Sequence, residues 1–343
     1  MNKHLKRNIL IITGVIAFHS AHAIEPMEVD SLIRLNSLVV SANRIEVNRN
    51  SVPLTISVIN QEKIESSSES ALLPVLSEQV PGLFVTEKGI TGFGVSTGAA
   101  GTINIRGVGS GNKVLVLFDG QPQWAGIFGH SLPDTYVASD VEKVEVIRGP
   151  GSLLYGSNAM GGVINIITRR QHQTGRRTQA RIMYGSYNTQ KYMASNGYNV
   201  GNFSSFISIN HDRTDGHRPN SKFHITNGFA NLGYRFNDIY KVTGDVSLAK
   251  YKFQNPGQIT NPIFDNKMDI LRGTTSLGLE NNYKRAQGAA RLFYNWGNHE
   301  INDGYYSGEK PKDYLFRSDD HNLGVLLYES FRLFPGNNFT VGI

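Results

Sequence analysis

The chain of 343 residues contains no cysteine. That removes a disulfide framework and any thiolate metal site from consideration. Beyond its first two dozen residues it also lacks an apolar run of the roughly 20 residues that a membrane-crossing helix needs, and its mean hydropathy is -0.28. A membrane location would then require a closed β-barrel, the other structure that satisfies every backbone polar group in lipid. Basic clusters are small. The largest are Arg169-Arg170 and Arg176-Arg177, too little for a nucleic-acid footprint, and both pairs read as solvated linker residues. Catalytic signatures are missing too: there is no His-Glu-x-x-His zinc motif and no Gly-x-Ser-x-Gly nucleophile elbow, so the chain does not read as an enzyme. The stretch Gly107-Val108-Gly109-Ser110-Gly111-Asn112-Lys113 imitates a phosphate loop. It fails as one, because Asn112 and Val114 stand where such a loop needs glycine and serine or threonine.

The N-terminus reads as a secretory signal over residues 1–23: Lys3, Lys6 and Arg7 precede an apolar run over 9–18, and Ala21-His22-Ala23 forms a cleavage site. Those three basic residues account for part of the formal charge of +6, and without them it is +3. Residues 24–44 then read as an extended arm with little periodicity.

Residues 45–170 read as one small mixed domain. Residues 70–80, with Leu72, Leu73, Leu76 and Val80 at helical spacing, predict a helix stopped by Pro81-Gly82. The apolar runs 114–118, 144–147 and 163–167 predict buried strands. Between the last two, Gly149-Pro150-Gly151 and Gly161-Gly162 supply tight turns around a short helical piece. Residues 89–101 and 121–133 predict long loops, the second carrying Trp124, Ile127 and Phe128.

From residue 176 onward, segments of about ten residues alternate with period two. Ala230, Leu232, Tyr234 and Phe236 oppose Asn231, Gly233 and Arg235; Ala290, Leu292, Tyr294 and Trp296 oppose Arg291 and Asn295; Val242, Val246 and Leu248 oppose Thr243, Asp245 and Ser247. Some connections are short, such as 236–238, and others long and polar, such as 254–269. Asp212, Asp215, Asp265 and Asp269 read as loop carboxylates, for which solvated charges are the plain reading and weak calcium ligands the alternative.

Two ordered motifs carry a family resemblance: Ile105-Arg106-Gly107 followed by Val114-Leu115-Val116-Leu117-Phe118-Asp119-Gly120, and then residues 144–168, from Val144-Glu145-Val146-Ile147-Arg148-Gly149-Pro150-Gly151 to Gly161-Gly162-Val163-Ile164-Asn165-Ile166. The chain resembles the TonB-dependent outer-membrane receptors, in look closest to those for cobalamin and siderophores. The resemblance implies a β-rich fold: an α+β plug domain over 45–170, then an antiparallel transmembrane β-barrel over 176–343. Complete barrels able to hold a plug have about 22 strands, whereas these residues hold about eight or nine, so the chain is expected to be an N-terminal piece of a longer receptor.

The resemblance also implies roles. Ser37, Leu38, Val39, Val40, Ser41 and Ala42 resemble the TonB box, an extended segment that adds as a strand to TonB; spacing alone fits a first plug strand equally well. Arg106 and Arg148 would join a polar network holding plug to barrel, with Glu142 and Glu145 as local carboxylate partners. The plug loops 91–100 and 121–130 would face outward, so that Trp124, Phe128 and His130 meet a large metal chelate or cobalamin-like ligand; packing of Trp124 and Phe128 beneath the plug stands beside that reading. Expected partners are TonB, that ligand and outer-membrane lipid of a Gram-negative cell, with no nucleic acid and no cofactor. The rival is a passive porin or adhesin with a small barrel and an N-terminal recognition domain.

Overall fold

The computed structural model describes residues 39–40, 47–48, 54–69, 71–85, 103–109, 113–123, 137–334 and 336–343. The strands β1 (Val39–Val40) and β2 (Val47–Asn48) pair antiparallel. Then come β3 (Ile56–Asn60), α1 (Gln61–Ser66), α2 (Leu72–Gln79), β4 (Leu83–Val85), β5 (Ile103–Ile105), β6 (Val114–Phe118) and β7 (Gln121–Pro122). A 3-10 turn at Ala138–Asp140 leads into β8 (Val141–Arg148), α3 (Ser152–Tyr155) and β9 (Gly162–Thr168).

Local chemistry sets these boundaries. The side chain of Asn60 caps α1 by accepting from the Lys63 amide at 3.2 Å. Pro74 is tolerated in α2 because it lies in the first turn, where its missing N–H has no intrahelical acceptor. The expected stop is realised: Val80 leaves the helix and Gly82 takes φ +80°. Asp119 and Gly120 both hold positive φ, +49° and +80°, which forms the tight two-residue turn between β6 and β7.

The small domain is a mixed five-stranded sheet in the order β3-β8-β9-β6-β7, with β6 and β9 parallel and the other pairs antiparallel. Both faces are covered, so β6 is buried along its whole length. One side packs on Ile64, Leu72, Leu73, Val75 and Leu76 of the helices. On the opposite side Ile56, Leu115, Leu117, Ile147 and Val163 pack with Tyr155 and Ala159.

The rest is an antiparallel meander: β10 (Gly175–Gly185), β11 (Thr189–Val200), β12 (Phe203–Thr214), β13 (Phe223–Arg235), β14 (Tyr240–Phe253), β15 (Ile263–Phe264), β16 (Lys267–Asn282), β17 (Ala286–Asn302), β18 (Tyr305–Tyr306), β19 (Phe316–Phe331) and β20 (Phe339–Gly342). Nine of these strands form one open sheet, while β15 and β18 pair with each other between two of the long connections. The long polar stretch expected up to residue 269 ends earlier, at 266. Asp269 therefore stands in β16 and Asp212 in β12, not in loops.

This sheet turns the usual amphipathic rule inside out. The residues facing the small domain are polar as often as not, including Ser208, Asn210, Asn227, Asn231, Asp245, Ser276 and Asn295, all buried. Apolar side chains point away from it into the open: Leu277 is 59% exposed and Val325 58%. Register aligns them into rows across β14, β16, β17 and β19: Val242-Leu279-Ala290-Leu327, Gly244-Leu277-Leu292-Val325, Val246-Thr275-Tyr294-Leu323 and Leu248-Gly273-Trp296-His321. Polar rows bound the band. Below lies Tyr240-Asn281-Gly288-Glu329, and above lie Lys250-Leu271-Asn298-Asp319 and Lys252-Asp269-Glu300-Arg317. From Leu279 to Gly273 the band covers about 20 Å along a strand at ~3.4 Å per residue. Aromatic pairs stand at its lower border, Tyr240 with Tyr283 and Tyr234 with Phe236, and an outward apolar band so bordered is the pattern of a sheet suited to lipid.

Candidate functional site: the seam between small domain and sheet

Among the described residues apolar contact crosses the seam at two places, one where Ala71 and Val137 share a buried cluster with Phe223, Ile225 and Tyr251 of the wall, the other around Phe118. Phe118 of β6 meets Phe229 of β13 edge-on at 6.1 Å, and Phe206 of β12 lies 6.2 Å from Phe229. Around it the contact is polar. The 3-10 turn drives Asp140 into the wall, where its carboxylate accepts from Ser208 Oγ, from Asn227 Nδ2 at 2.9 Å and from Asn210 Nδ2 at 3.4 Å. Ser139 Oγ donates to Asn210 Oδ1 at 2.7 Å. Burial pushes the Asp140 carboxyl up to about 6, because its wall partners are neutral donors that recover only part of the lost hydration.

Arg169 and Arg170 overturn their reading as solvated linker residues. Arg169 is 5% exposed: its guanidinium binds Glu65 of α1, donates to Gln179 Oε1 of β10 at 3.3 Å and lies 5.8 Å from the Phe206 ring centre. One side chain thus ties α1 to two wall strands. Burial tends to raise the Glu65 carboxyl, but its bonds to Gln61 and Arg169 hold it below the usual range. Arg170 pairs with Asp119 at 3.5 Å, and Asp119 also accepts from the Thr168 amide at 3.0 Å and the Thr168 hydroxyl at 2.6 Å. For Asp119, burial again pushes up and is outweighed, by Arg170, Arg291 and Thr168, so the carboxyl stays ionised. Wall cations also cap the end of α1: Arg181 reaches the carbonyls of Glu65 and Ser67 at 3.5 and 3.3 Å, and Lys191 reaches that of Ser68 at 2.6 Å.

A second polar contact lies on the other side. Gln121 Nε2 donates to Ser276 Oγ at 3.0 Å, Ser276 in turn binds Asp245, and Asn295 Nδ2 donates to the Pro122 carbonyl at 3.2 Å. The seam is not sealed throughout. A cavity of about 70 Å³, lined by Glu65, Arg169, Arg181, Lys191 and Asp212 among others, lies between α1 and β10–β12, with room for a few waters.

The sequence-derived candidates fall differently. Arg106, at φ +52°, and Gly107 form a tight turn in which Ile105 and Val108 exchange backbone bonds, and the Arg106 amide donates to the Gly82 carbonyl at 2.7 Å. Arg148 Nη1 donates to the Pro81 carbonyl at 3.2 Å. The two arginines therefore converge on the Pro81-Gly82 turn within the small domain, and neither makes an ion pair among the described residues. Glu142 pairs instead with His172 at 2.8 Å, a bond that raises the imidazole pKa, and the buried Glu145 pairs with Lys143 at 3.0 Å. Glu142 and Glu145 lie on β8 with Arg148, where alternation and register decide what each side chain meets. Val39 and Val40 form β1, whereas Ser37, Leu38, Ser41 and Ala42 lie outside the described residues, as do Trp124, Phe128 and His130.

The four carboxylates weighed for calcium have cation partners or burial instead. Asp215 meets Arg213 at 3.3 Å, Asp265 meets Lys267 at 2.6 Å, Asp269 meets both Lys250 and Lys252, and Asp212 is buried on the inner face of β12. Among the described residues no group of three histidines or carboxylates could hold a metal ion.

Sequence reasoning missed Asp140, Asp119, Glu65, Gln121, Arg169 and Arg170 as seam residues. A signal existed for some: Asp119-Gly120 closes a recognised motif, and Asp140 directly precedes the β8 alternation.

Comparison with known proteins places this geometry. The family model for the TonB-dependent Receptor Plug Domain matches residues 48–163. The structure of the ferripyoverdine receptor of the Pseudomonas aeruginosa outer membrane, bound to ferripyoverdine, superposes with a TM-score of 0.72 at 15% identity, over 89% of this chain and 43% of that one. The siderophore receptor PiuA from Acinetobacter baumannii gives 0.69 at 15% identity, over 88% and 46%. The copper transporter OprC gives 0.67 at 18%, over 84% and 45%. The chain thus spans less than half the length of the structures it matches.

Proposed function

From a chain that has the fold of the TonB-dependent receptors and carries their plug domain at residues 48–163, we infer active import of a scarce, large solute across the outer membrane. The observation that carries this reading is the polar seam itself. Beside its apolar contacts at Phe118 and at Ala71 and Val137, this plug rests on its wall through hydrogen bonds from buried polar groups, which water can replace at small net cost. Such a contact suits a part that must be displaced and return.

In this reading ligand settles on the outward plug loops, where Trp124, Phe128 and His130 offer aromatic faces and an imidazole to a bulky metal chelate. The segment Ser37–Ala42 passes to TonB, which pairs with it as an added strand and pulls. Solved relatives by fold include siderophore receptors and a copper transporter, so the ligand class proposed is a metal chelate of siderophore type, with a cobalamin-like corrinoid as the second choice.

The test is uptake of labelled ferric siderophores and cobalamin by cells dependent on the full-length protein, with TonB present or deleted. Active import predicts accumulation that is lost without TonB and in Val39→Pro/Val40→Pro. Entry that survives both changes would overturn it in favour of the passive porin or adhesin.

A further inference from the structure

Asp140 is an odd choice for a seam residue. Its carboxylate is buried at 5% exposure and is met by two hydroxyls, of Ser208 and Ser139, and by two amides, with no cation in contact. The nearby cations make their hydrogen bonds elsewhere, and Arg169 acts on the carboxyl only through space, offsetting part of the burial. Arg169, whose amide donates to the Asp140 carbonyl, has its guanidinium on Glu65 and Gln179. Lys191 of β11 is on the Ser68 carbonyl, and Asp212 lies buried and inward on β12 beyond Asn210. From β13 only the neutral Asn227 faces it. A neutral partner at this position would dock more cheaply than an ionised one. On the amide whose Nδ2 donates to Asp140, Asn227 Oδ1 is buried and accepts no hydrogen bond among the described residues, so the wall here holds an unused acceptor.

We propose that Asp140 primes the plug for release: its ionised carboxylate weakens the plug's hold on β12 and β13, and proton uptake strengthens that hold. The device rests on the reading of the small domain as a displaceable plug. Linkage fixes its sign. Docked, the carboxyl titrates at about 6; freed into water it returns towards 3.8. The docked state then binds the proton more tightly, so acidification favours docking, and at neutral pH the ionised group stores part of the work of release. Between pH 7.5 and 5.0 the docking equilibrium should shift by about tenfold.

The experiment is hydrogen exchange of the Ala138–Asp140 and β8 amides in the detergent-solubilised full-length protein, corrected for intrinsic rates, at pH 7.5 and 5.0. Wild type should gain about tenfold protection at pH 5.0. Asp140→Asn should show the same protection at both pH values. Asn227→Asp, which sets a second carboxylate against the first, should move the rise to higher pH. Protection in wild type that is unchanged or falls on acidification, or a variant Asp140→Asn that keeps the wild-type response, would overturn the proposal. If the variants fail to assemble, the wild-type titration alone decides. Exchange requires neither TonB nor ligand, so a flat titration removes the proton device while leaving the transport reading intact; uptake that survives deletion of TonB does the reverse.

Discussion

Replacing Asp119 tests whether the end of β9 is held by one buried carboxylate. Asp119→Ala removes three acceptor contacts at once: from the Thr168 amide at 3.0 Å, from the Thr168 hydroxyl at 2.6 Å and from Arg170 at 3.5 Å. Thr168 is fully buried, so both its donors lose their partner without gaining water. Stranding a buried charge costs about 3–5 kcal/mol, and an unsatisfied buried donor roughly 1–3 kcal/mol. These overlap, because Arg170 can re-solvate in part, and the expected total is about 4 kcal/mol. Asp119→Asn keeps an acceptor for Thr168 but not the charge, and should lose roughly 2–3 kcal/mol. The assay is the exchange-derived opening free energy of the β9 amides in the full-length protein. The pH dependence adds a second check. Because the Asp119 carboxyl is held below 3.8, its contribution is present above that pH and is lost only as pH falls through the depressed value. The deficit of Asp119→Ala should therefore be constant from pH 8 to pH 5. A loss under about 1 kcal/mol, or a deficit that shrinks by pH 5, would refute the reasoning.

Two further outcomes are expected. Gly162 holds φ +156°, and a Cβ there would strike the Ile147 carbonyl and Ile105 Cδ1, whereas Gly149 at φ +146° has open space around it; Gly162→Ala should cost more than about 2 kcal/mol and Gly149→Ala about 1 kcal/mol in plug stability by the same exchange assay. Leu277→Arg places a charge at mid-band and should cost about 2–4 kcal/mol of folding in lipid, while Asn298→Arg, one row above the band, should cost less than about 1 kcal/mol; equal losses in lipid-refolding titrations would contradict the membrane placement drawn from the register.

Much of the architecture is legible in the residues. The period-two alternation of Ala290, Leu292, Tyr294 and Trp296 against Arg291 and Asn295 marks a strand with one apolar face, and the structure keeps that division. Alternation alone does not say which face is inside. In a water-soluble sandwich Leu292 would be buried; here it is exposed at 48% and Asn295 is buried at 2%, the pattern suited to lipid, not water, as the outer solvent. The motifs at 105–120 and 144–168 likewise identify the small domain, since their glycines are demanded locally, by positive φ at Gly107, Gly120 and Gly162.

The seam was much less legible. Arg169 and Arg170 look like any basic pair in a linker, and Asp140 like any acid before a strand. What brings them into the seam is partners 10 to 116 positions away: Gln179 for Arg169, Asp119 for Arg170, Ser208 and Asn227 for Asp140, and the Glu65 carbonyl for Arg181. The sequence by itself determined the strands, their tight turns and the two chemically distinct faces of the sheet, because backbone sterics and side-chain alternation act over a few residues. Only the tertiary structure decided which polar groups lose water together, and with it which charges are neutralised, which are left under strain and where the plug grips its wall.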